Sequence, residues 1–241
     1  MSAVQASELK YEIKGTIHQV TEIHLEQGQR VYSETGGMIW MDSNIQMDTA
    51  APDQGKGLGS AILGALSRAV AGESLFLNFF TAQGGPGRVS FASSFPGKII
   101  DVRLAAGQSL IGQRGAFLCA QDSCTLKVEF TKKLGAGFLG GEGFILQRIT
   151  GPGTFFLEVD GELTILDLAP GQLIRVDSGH IAAFEESVKY DIQVQSLKNV
   201  LLSGEGIALA TLTGPGRVWL QHQTLKSLAV DLIPYLPFDR K

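Results

Sequence analysis

A glycine-rich motif recurs along this chain at a spacing of about 65 residues, and this recurrence constrains the fold more than any other feature. Thr-Gly-Pro-Gly occupies Thr150–Gly153 and Thr213–Gly216, and the variant Gly-Gly-Pro-Gly occupies Gly84–Gly87. A Gly-Glu pair precedes each copy, and a Gly-Gln pair follows two of them. Because several markers return in the same order, the sequence indicates an internal duplication, which is typical of proteins built from tandem structural units.

The segments between these markers alternate apolar and polar residues, which is the pattern of half-buried β-strands. The alternation predicts strands at Phe144–Thr150, Leu163–Leu168 and Leu173–Val176. The second and fourth residues after each Gly-Pro-Gly are apolar and are expected to face inward: Val89, Phe91, Phe155, Leu157, Val218 and Leu220. Since proline presets a turn and glycine permits a positive φ, each Gly-Pro-Gly is expected to close a hairpin between its flanking strands.

Many short strands separated by glycine-rich turns predict an all-β protein made of sandwich-like or barrel-like units. The markers divide the chain into three tandem β-modules with internal pseudo-threefold symmetry and a partial fourth repeat: 9–71, 72–140 and 141–203, followed by 204–241. The first module is degenerate and contains a glycine-rich loop with a predicted short helix at Ser60–Ala71. A second helix is predicted at Gln223–Pro234.

The composition is that of a globular protein with a sizeable core. Of the 241 residues 44% are hydrophobic and 18% are charged, and the net charge is −4. This balance disfavours extended nucleic-acid binding, which needs a basic surface. The N-terminal residues lack the pattern of a secretory signal, and no apolar stretch is long enough to span a bilayer, so we expect a cytoplasmic protein.

The cysteine content also fits a protein of a reducing compartment. Cys119 and Cys124 are too few for a secreted disulfide framework, and their spacing does not match the usual zinc or dithiol patterns. We therefore expect buried or half-buried free thiols.

Three segments of the chain resemble the altered-inheritance-of-mitochondria protein 24 family: Gly36–Asp42, Gly140–Phe144 and Thr213–Trp219. The likeness covers about residues 9–237. It implies a fold similar to the tryptophan RNA-binding attenuation protein, a short double-stranded β-helix whose modules assemble into closed rings of nine to eleven. With three modules per chain, the resemblance implies a trimer with pseudo-ninefold symmetry. Eukaryotic relatives are linked to organisation of the mitochondrial inner membrane, and the family has no established enzymatic activity.

Several chemical motifs are present only in incomplete form. Gly135–Gly140 fits the spacing of a dinucleotide-binding loop, but a strand follows it where a helix is required. Gly55–Ser60 lacks the spacing of a phosphate-binding loop. No Ser-His-Asp or Cys-His signature occurs. The four histidines show no clustered metal-binding pattern: His18, His24, His180 and His222. We therefore expect no catalytic residue, no cofactor and no metal.

Three glutamates are the candidate binding residues because the repeat would place them equivalently: Glu73, Glu142 and Glu205. Carboxylates gathered around an axis can bind cations or line a pore, and close approach would raise their pKa values. The alternative is that each glutamate only begins a strand and is solvated. The stretches leading to them are apolar and glycine-rich, and they are expected either to contact a partner or membrane surface or to pack between modules: 64–72, 134–141 and 200–204.

These observations favour a non-enzymatic, ring-forming scaffold or interaction protein with a peripheral membrane contact. One alternative is a small-molecule or RNA-binding module similar to the attenuation protein, which rests on fold analogy alone. Another is a metalloenzyme with a cupin-like barrel. The expected partners are further copies of the same chain, most simply a trimer, and a protein or membrane surface. Nucleic acid is not an expected partner.

Overall fold

The structure is a computed structural model of the chain and describes residues 8–34, 36–50, 77–132, 144–194 and 208–235. The described part is almost entirely β-structure, which confirms the predicted fold class. One α-helix, α1, spans Leu225–Leu232, and short 3-10 turns lie at Arg114–Ala116, Ser178–His180 and Ile233–Tyr235. The strands follow in chain order: β1 (Lys10–Lys14), β2 (Val20–Leu25), β3 (Arg30–Glu34), β4 (Met38–Met41), β5 (Ile45–Ala50), β6 (Leu77–Ala82), β7 (Gly87–Ala92), β8 (Gly97–Leu104), β9 (Ser109–Gln113), β10 (Phe117–Gln121), β11 (Thr125–Lys132), β12 (Phe144–Thr150), β13 (Gly153–Asp160), β14 (Leu163–Leu168), β15 (Leu173–Asp177), β16 (Ile181–Glu185), β17 (Lys189–Val194), β18 (Ala208–Thr213) and β19 (Gly216–Gln221).

These strands form four antiparallel sheets. Sheet 1 has the order β1-β2-β7-β4, and sheet 2 has the order β5-β6-β3-β10-β13-β8. Sheet 3 has the order β11-β12-β9-β16-β19-β14, and sheet 4 has the order β15-β18-β17. The two middle sheets therefore have six strands each, and the two outer sheets have four and three.

The strand pairing repeats with a period of six strands. We call β2–β7 the first set, β8–β13 the second set and β14–β19 the third set. In each set the second strand pairs with the fifth, and the third pairs with the sixth. The fourth strand pairs with the fifth, and the first pairs with the sixth. Each set thus contributes three strands to one sheet and three to the next.

The predicted hairpins across Gly-Pro-Gly are wrong. The strands on either side of each motif belong to different sheets, as with β12 in sheet 3 and β13 in sheet 2. The backbone N–H of Gly151 donates to Gln108 O at 3.0 Å, and that of Gly214 donates to Gln172 O at 2.9 Å. The motif is therefore a crossover between two sheets, and it hydrogen-bonds to the Gly-Gln turn. The hairpin prediction failed because a period-two pattern indicates which residues form strands but not which strands pair.

Apolar side chains fill the space between successive sheets. Ile23 and Phe91 of sheet 1 pack with Phe80 of sheet 2 in one cluster. Tyr32 and Phe155 of sheet 2 pack with residues of sheet 3 in a second, and a third cluster joins sheets 3 and 4. Sheet 2 is thus covered on both faces, which explains why β13 is buried along almost its whole length. Burial of this apolar surface is the main stabilising contribution to such a stack.

Several local predictions are confirmed. The strands predicted at Phe144–Thr150 and Leu163–Leu168 are β12 and β14, and the predicted Leu173–Val176 lies in β15. The C-terminal helix is present as α1 within the predicted range. Of the residues predicted to face inward after each Gly-Pro-Gly, all are buried except Leu220, which is partly buried.

Other predictions fall on parts of the chain that the structure does not describe. The proposed module boundaries at 71–72, 140–141 and 203–204 lie outside the described residues, as does the helix predicted at Ser60–Ala71. The number of modules and their limits therefore stay predictions.

Candidate functional site

Strand β4 is an edge of sheet 1 and has β7 as its one neighbouring strand within the described ranges. The strands that correspond to it in the other sets, β10 and β16, lie inside their sheets with a neighbour on each side. The side chains of β4 are open to solvent, with Ile39 51% and Trp40 36% exposed. The corresponding residues, which follow the same register shift, are all buried: Leu118 and Cys119 in β10, and Ala182 and Ala183 in β16.

Strand β15 is the equivalent open edge of sheet 4. Its one neighbour in the part of the chain that the structure describes is β18, whereas the corresponding strands β3 and β9 are interior. Leu173 at its start is 53% exposed. Ile174 is half-buried, but Val31 and Leu110 at the same position in β3 and β9 are buried. Within the described ranges, β15 is therefore less covered than its counterparts β3 and β9.

Two joins inside the chain show how such edges meet. Strand β3 of the first set pairs with β10 of the second, and β9 of the second set pairs with β16 of the third. Both joins are antiparallel and have the same register. The facing residues are Ser33 with Cys119, Tyr32 with Ala120 and Val31 with Gln121, then Gly112 with Ala183, Ile111 with Phe184 and Leu110 with Glu185.

The first of these joins also shows its polar contacts. The backbone N–H of Asp122 donates to Arg30 O at 3.2 Å, and the Arg30 guanidinium donates to the Asp122 carboxylate at 2.7 Å. The fold therefore uses one kind of strand join between successive sets. Among the described strands, one half of that join is left unpaired on β4 and the other half on β15.

Arg88 contacts two carboxylates and the Trp40 ring beside β4. Its Nε lies 3.1 Å from Asp42 Oδ2, and its Nη1 lies 3.4 Å from Glu22 Oε1. The guanidinium also stacks on Trp40, with its carbon 5.1 Å from the ring centre. Because Arg88 donates to it, Asp42 has a pKa below its usual value and is ionised at neutral pH. These contacts hold the exposed indole against the sheet.

The candidate glutamates of the repeat cannot be placed. Glu73, Glu142 and Glu205 all lie outside the described residues, as do the glycine-rich stretches that lead to them. The two loops with nucleotide-like spacing, Gly135–Gly140 and Gly55–Ser60, also lie outside the described residues.

The histidines are dispersed, and three of them have local hydrogen-bond partners. His18 Nε2 lies 2.7 Å from Ser93 O, and His180 Nδ1 lies 2.8 Å from Gln221 O. His222 Nε2 lies 2.7 Å from the hydroxyl of Thr164. His24 Nε2 lies 3.3 Å from Glu22. Across the described ranges, no three His, Cys, Asp or Glu side chains are grouped so that they could hold a metal ion.

Both cysteines are buried free thiols, as the sequence predicts. Burial raises the pKa of Cys119 well above its ordinary value, and it raises that of Cys124 to about 12. A thiol is a weak nucleophile and a poor metal ligand unless it ionises, so these residues act in packing.

Among the described residues, no helix is both long and apolar enough to cross a membrane. The open edges at β4 and β15 are the candidate site. Sequence reasoning missed them, although the run Ile39-Trp40-Met41 was available. Comparing that run with the buried Leu118-Cys119-Ala120 of the next set identifies β4 as an uncovered interior strand.

Comparisons with known proteins agree with this architecture. The family model described as Mitochondrial biogenesis AIM24 matches residues 11–223. An uncharacterised protein of Streptococcus pyogenes serotype M6 is 31% identical over 221 residues, which cover 90% of this chain and 87% of that protein. The crystal structure of protein SPYM3_0169 from Streptococcus pyogenes has a TM-score of 0.77 and 26% identity, covering 95% of this chain and 100% of that one. On these matches, the chain belongs to the AIM24 family.

Proposed function

We propose that this protein is a non-enzymatic scaffold that assembles head to tail, with β4 of one copy pairing with β15 of the next. The observation that carries this proposal is that each outer sheet contains half of the strand join used twice inside the chain. Joining β15 to β4 would complete a six-stranded core like those of sheets 2 and 3. The same step would cover Ile39, Trp40 and Leu173.

The internal joins define the register of the proposed contact. If β15 takes the place of β3 and β9, then Val176 faces Trp40, Arg175 faces Met41 and Ile174 faces Asp42 of the neighbouring copy. The N–H of Asp42 already donates to Arg88 O at 2.9 Å within the chain. Because strand N–H groups alternate in direction, those of Met41 and Ser43 point to the open edge and would donate to the partner.

A contact between two different surfaces of the same chain generates either a closed ring or an open filament. We propose a closed ring of three chains, which corresponds to the nine-module rings implied by the family resemblance. The apolar, glycine-rich stretches at 64–72, 134–141 and 200–204 would then recur around the ring and contact a partner protein or a membrane surface. We place the assembly in the cytoplasm.

The paired arginines, the net charge and the dispersed histidines support a scaffold rather than the alternatives. The arginines that directly follow two of the glycine motifs are engaged by carboxylates, Arg88 by Asp42 at 3.1 Å and Arg217 by Asp167 at 2.7 Å. Paired arginines contribute little to phosphate binding, and the net charge is −4. A cupin-like metalloenzyme is the least supported alternative, because the histidines lie in separate places with local partners.

A disulfide cross-link tests the proposed register. Trp40 and Val176 would face each other at a position without mutual hydrogen bonds, where opposed cysteines come close enough to bond. The double variant Trp40→Cys and Val176→Cys should form disulfides between chains on mild oxidation, with a closed three-chain species on a non-reducing gel. The native cysteines are buried and should not interfere.

The matched control moves one cysteine by two residues, in the double variant Trp40→Cys and Ile174→Cys. It keeps the same loss of the indole but displaces the register, so it should cross-link much less. Equal cross-linking in both variants, or none in either, would contradict the proposed pairing of β4 with β15.

A further inference from the structure

A cleft of about 600 Å³ lies between sheet 3 and strand β17 of sheet 4. Its floor is apolar and belongs to the core between these sheets, with Ile111, Leu146 and Phe184 from sheet 3 and Val188 and Ile192 from the β17 side. The ring of Tyr190 stacks on that of Phe184 at a centroid distance of 5.5 Å. The volume is that of a small-molecule site.

The same place between sheets 2 and 3 is filled by protein. Ile111 faces Arg148 across β9 and β12, and the residues at those positions in the first set are Tyr32 and Phe79. Both aromatic residues are buried, and their rings lie 5.7 Å apart. Two buried aromatic rings therefore occupy, in the core between sheets 2 and 3, the positions at which Ile111 and Arg148 line the cleft.

Two other positions around the cleft carry larger residues than their counterparts in the core between sheets 2 and 3. Phe184 and Tyr190 are larger than Ala120 and Leu126, which take their positions in the neighbouring core. The cleft remains open in spite of these two rings.

The mouth of the cleft is acidic. Arg148 donates to Glu129 through two bonds of 2.8 Å each and also donates to Glu186. These bonds raise the pKa of Arg148 and use three of its five N–H donors, and the two carboxylates balance its charge. Asp191 adds a third carboxylate to the lining, which leaves an excess of negative charge. Lys127 faces Arg148 across β11 and β12 but is exposed and does not line the cleft.

We propose that this cleft binds a small amphipathic cation, an organic ammonium ion with a short hydrocarbon tail. The tail would lie on the apolar floor against Ile111 and Phe184. The ammonium group would lie at the mouth, where Glu186 and Asp191 accept its hydrogen bonds. Apolar contact supplies affinity in such a site, and the few charged groups at its rim select the ligand.

Titration of the full chain with n-hexylammonium chloride tests this proposal, with binding followed by calorimetry and by shifts of the amide NMR signals of β12 and β17. Saturable binding of one molecule per chain is expected. n-Hexanol has the same tail without the charge and should bind about tenfold more weakly, because charge-assisted hydrogen bonds are lost. Hexanoate and methylammonium, which reverse the charge or remove the tail, should show no saturable binding.

Two variants locate the site. Glu186→Gln should weaken n-hexylammonium about three- to fivefold, as expected for one partly exposed charge pair, while hexanol binding stays unchanged. Ile111→Tyr copies the filled core of the first set and should abolish binding of both. Glu162→Gln, an exposed carboxylate paired with Lys98 outside the cleft, is the matched control and should bind as the original chain does.

The proposal fails if n-hexanol binds as tightly as n-hexylammonium, or if Glu186→Gln leaves n-hexylammonium binding unchanged. Glu186 is on the surface, so its variant remains a valid test even if Ile111→Tyr does not fold. Binding that is weakened equally by Glu162→Gln would indicate general charge attraction and would also overturn the proposed site.

Discussion

Glu158 lies in β13, and its carboxylate accepts hydrogen bonds from the backbone N–H and the hydroxyl of Ser94. Burial raises the pKa of Glu158 to about 7 in spite of these bonds. At the corresponding position of β19, Gln221 accepts from the N–H of Asp160 at 3.1 Å and donates to Gly179 O at 2.8 Å. At this position of the third set, a neutral amide makes local hydrogen bonds where the second set has a carboxyl group.

The raised pKa predicts a pH-dependent stability. Between the unfolded value of 4.5 and about 7, the folded chain keeps a proton that the unfolded chain has lost. The contribution of Glu158 to the free energy of unfolding should therefore be largest below about pH 4.5 and should fall by about 3 kcal/mol as pH rises to about 7. Urea unfolding across this pH range measures the effect.

Glu158→Gln isolates the contribution of this residue. The variant should lose most of the decrease and should be more stable than the original chain above about pH 7. A residual decrease is expected because the pKa of Glu34 is also raised by burial. If both proteins show the same pH profile, Glu158 does not carry a retained proton.

Gly97 is required by a close approach of two strands. A Cβ atom at this position would lie 1.9 Å from Val159 O, whereas a Cβ atom at Gly115 would meet nothing within 4 Å. Gly97→Ala should thus lower the free energy of unfolding by about 3 kcal/mol or more, because the backbone of β13 must move. Gly115→Ala should change it by less than about 1 kcal/mol, and similar losses in both would refute this explanation.

At the scale of elements, β4 and β15 lie at sheet edges, whereas the corresponding strands of the other sets lie inside their sheets. Exposed hydrophobic edges of this kind favour pairing with another chain, and proteins that stay monomeric protect them with charge or short length. Here the apolar side chains on β4 have buried counterparts in both other sets. This arrangement supports the proposal that β4 pairs with another chain.

A charge placed on β4 should prevent assembly without unfolding the chain. Ile39→Asp puts a carboxylate where the buried Leu118 and Ala182 stand in the other sets, so pairing with β15 would bury an unpaired charge. The native mass should fall to that of one chain, while circular dichroism remains that of a β-protein.

The control for this variant is Ile165→Asp. Ile165 is similarly exposed but lies on β14, which is not part of either half-join. Its variant should assemble normally. Loss of assembly in both variants would mean that general surface charge, and not the β4 edge, controls the association.

Sequence reasoning predicted the strands better than their arrangement. Alternation correctly located β12, β14 and most of β15, because side-chain direction depends only on local periodicity. It misassigned each Gly-Pro-Gly to a hairpin, because partners are chosen by packing between distant segments. The candidate site was missed for the same reason, since the exposure of Trp40 is evident only when its neighbours are known.

At the scale of the whole molecule, three sets of six strands overlap so that each sheet join links one set to the next. Two such joins occur within the chain, and in the described ranges β4 of sheet 1 and β15 of sheet 4 each lack the partner strand. Self-association would extend the same rule from one chain to several. The cleft between sheets 3 and 4 is separate from these edges, so the assembly and ligand proposals can be tested independently.

The native mass of the unmodified chain, measured by light scattering on the peak from a sizing column, is the most direct test of assembly through β4 and β15. The proposed ring predicts a mass of three chains of 25.8 kDa each. A mass of one chain at concentrations where the protein is folded would contradict it.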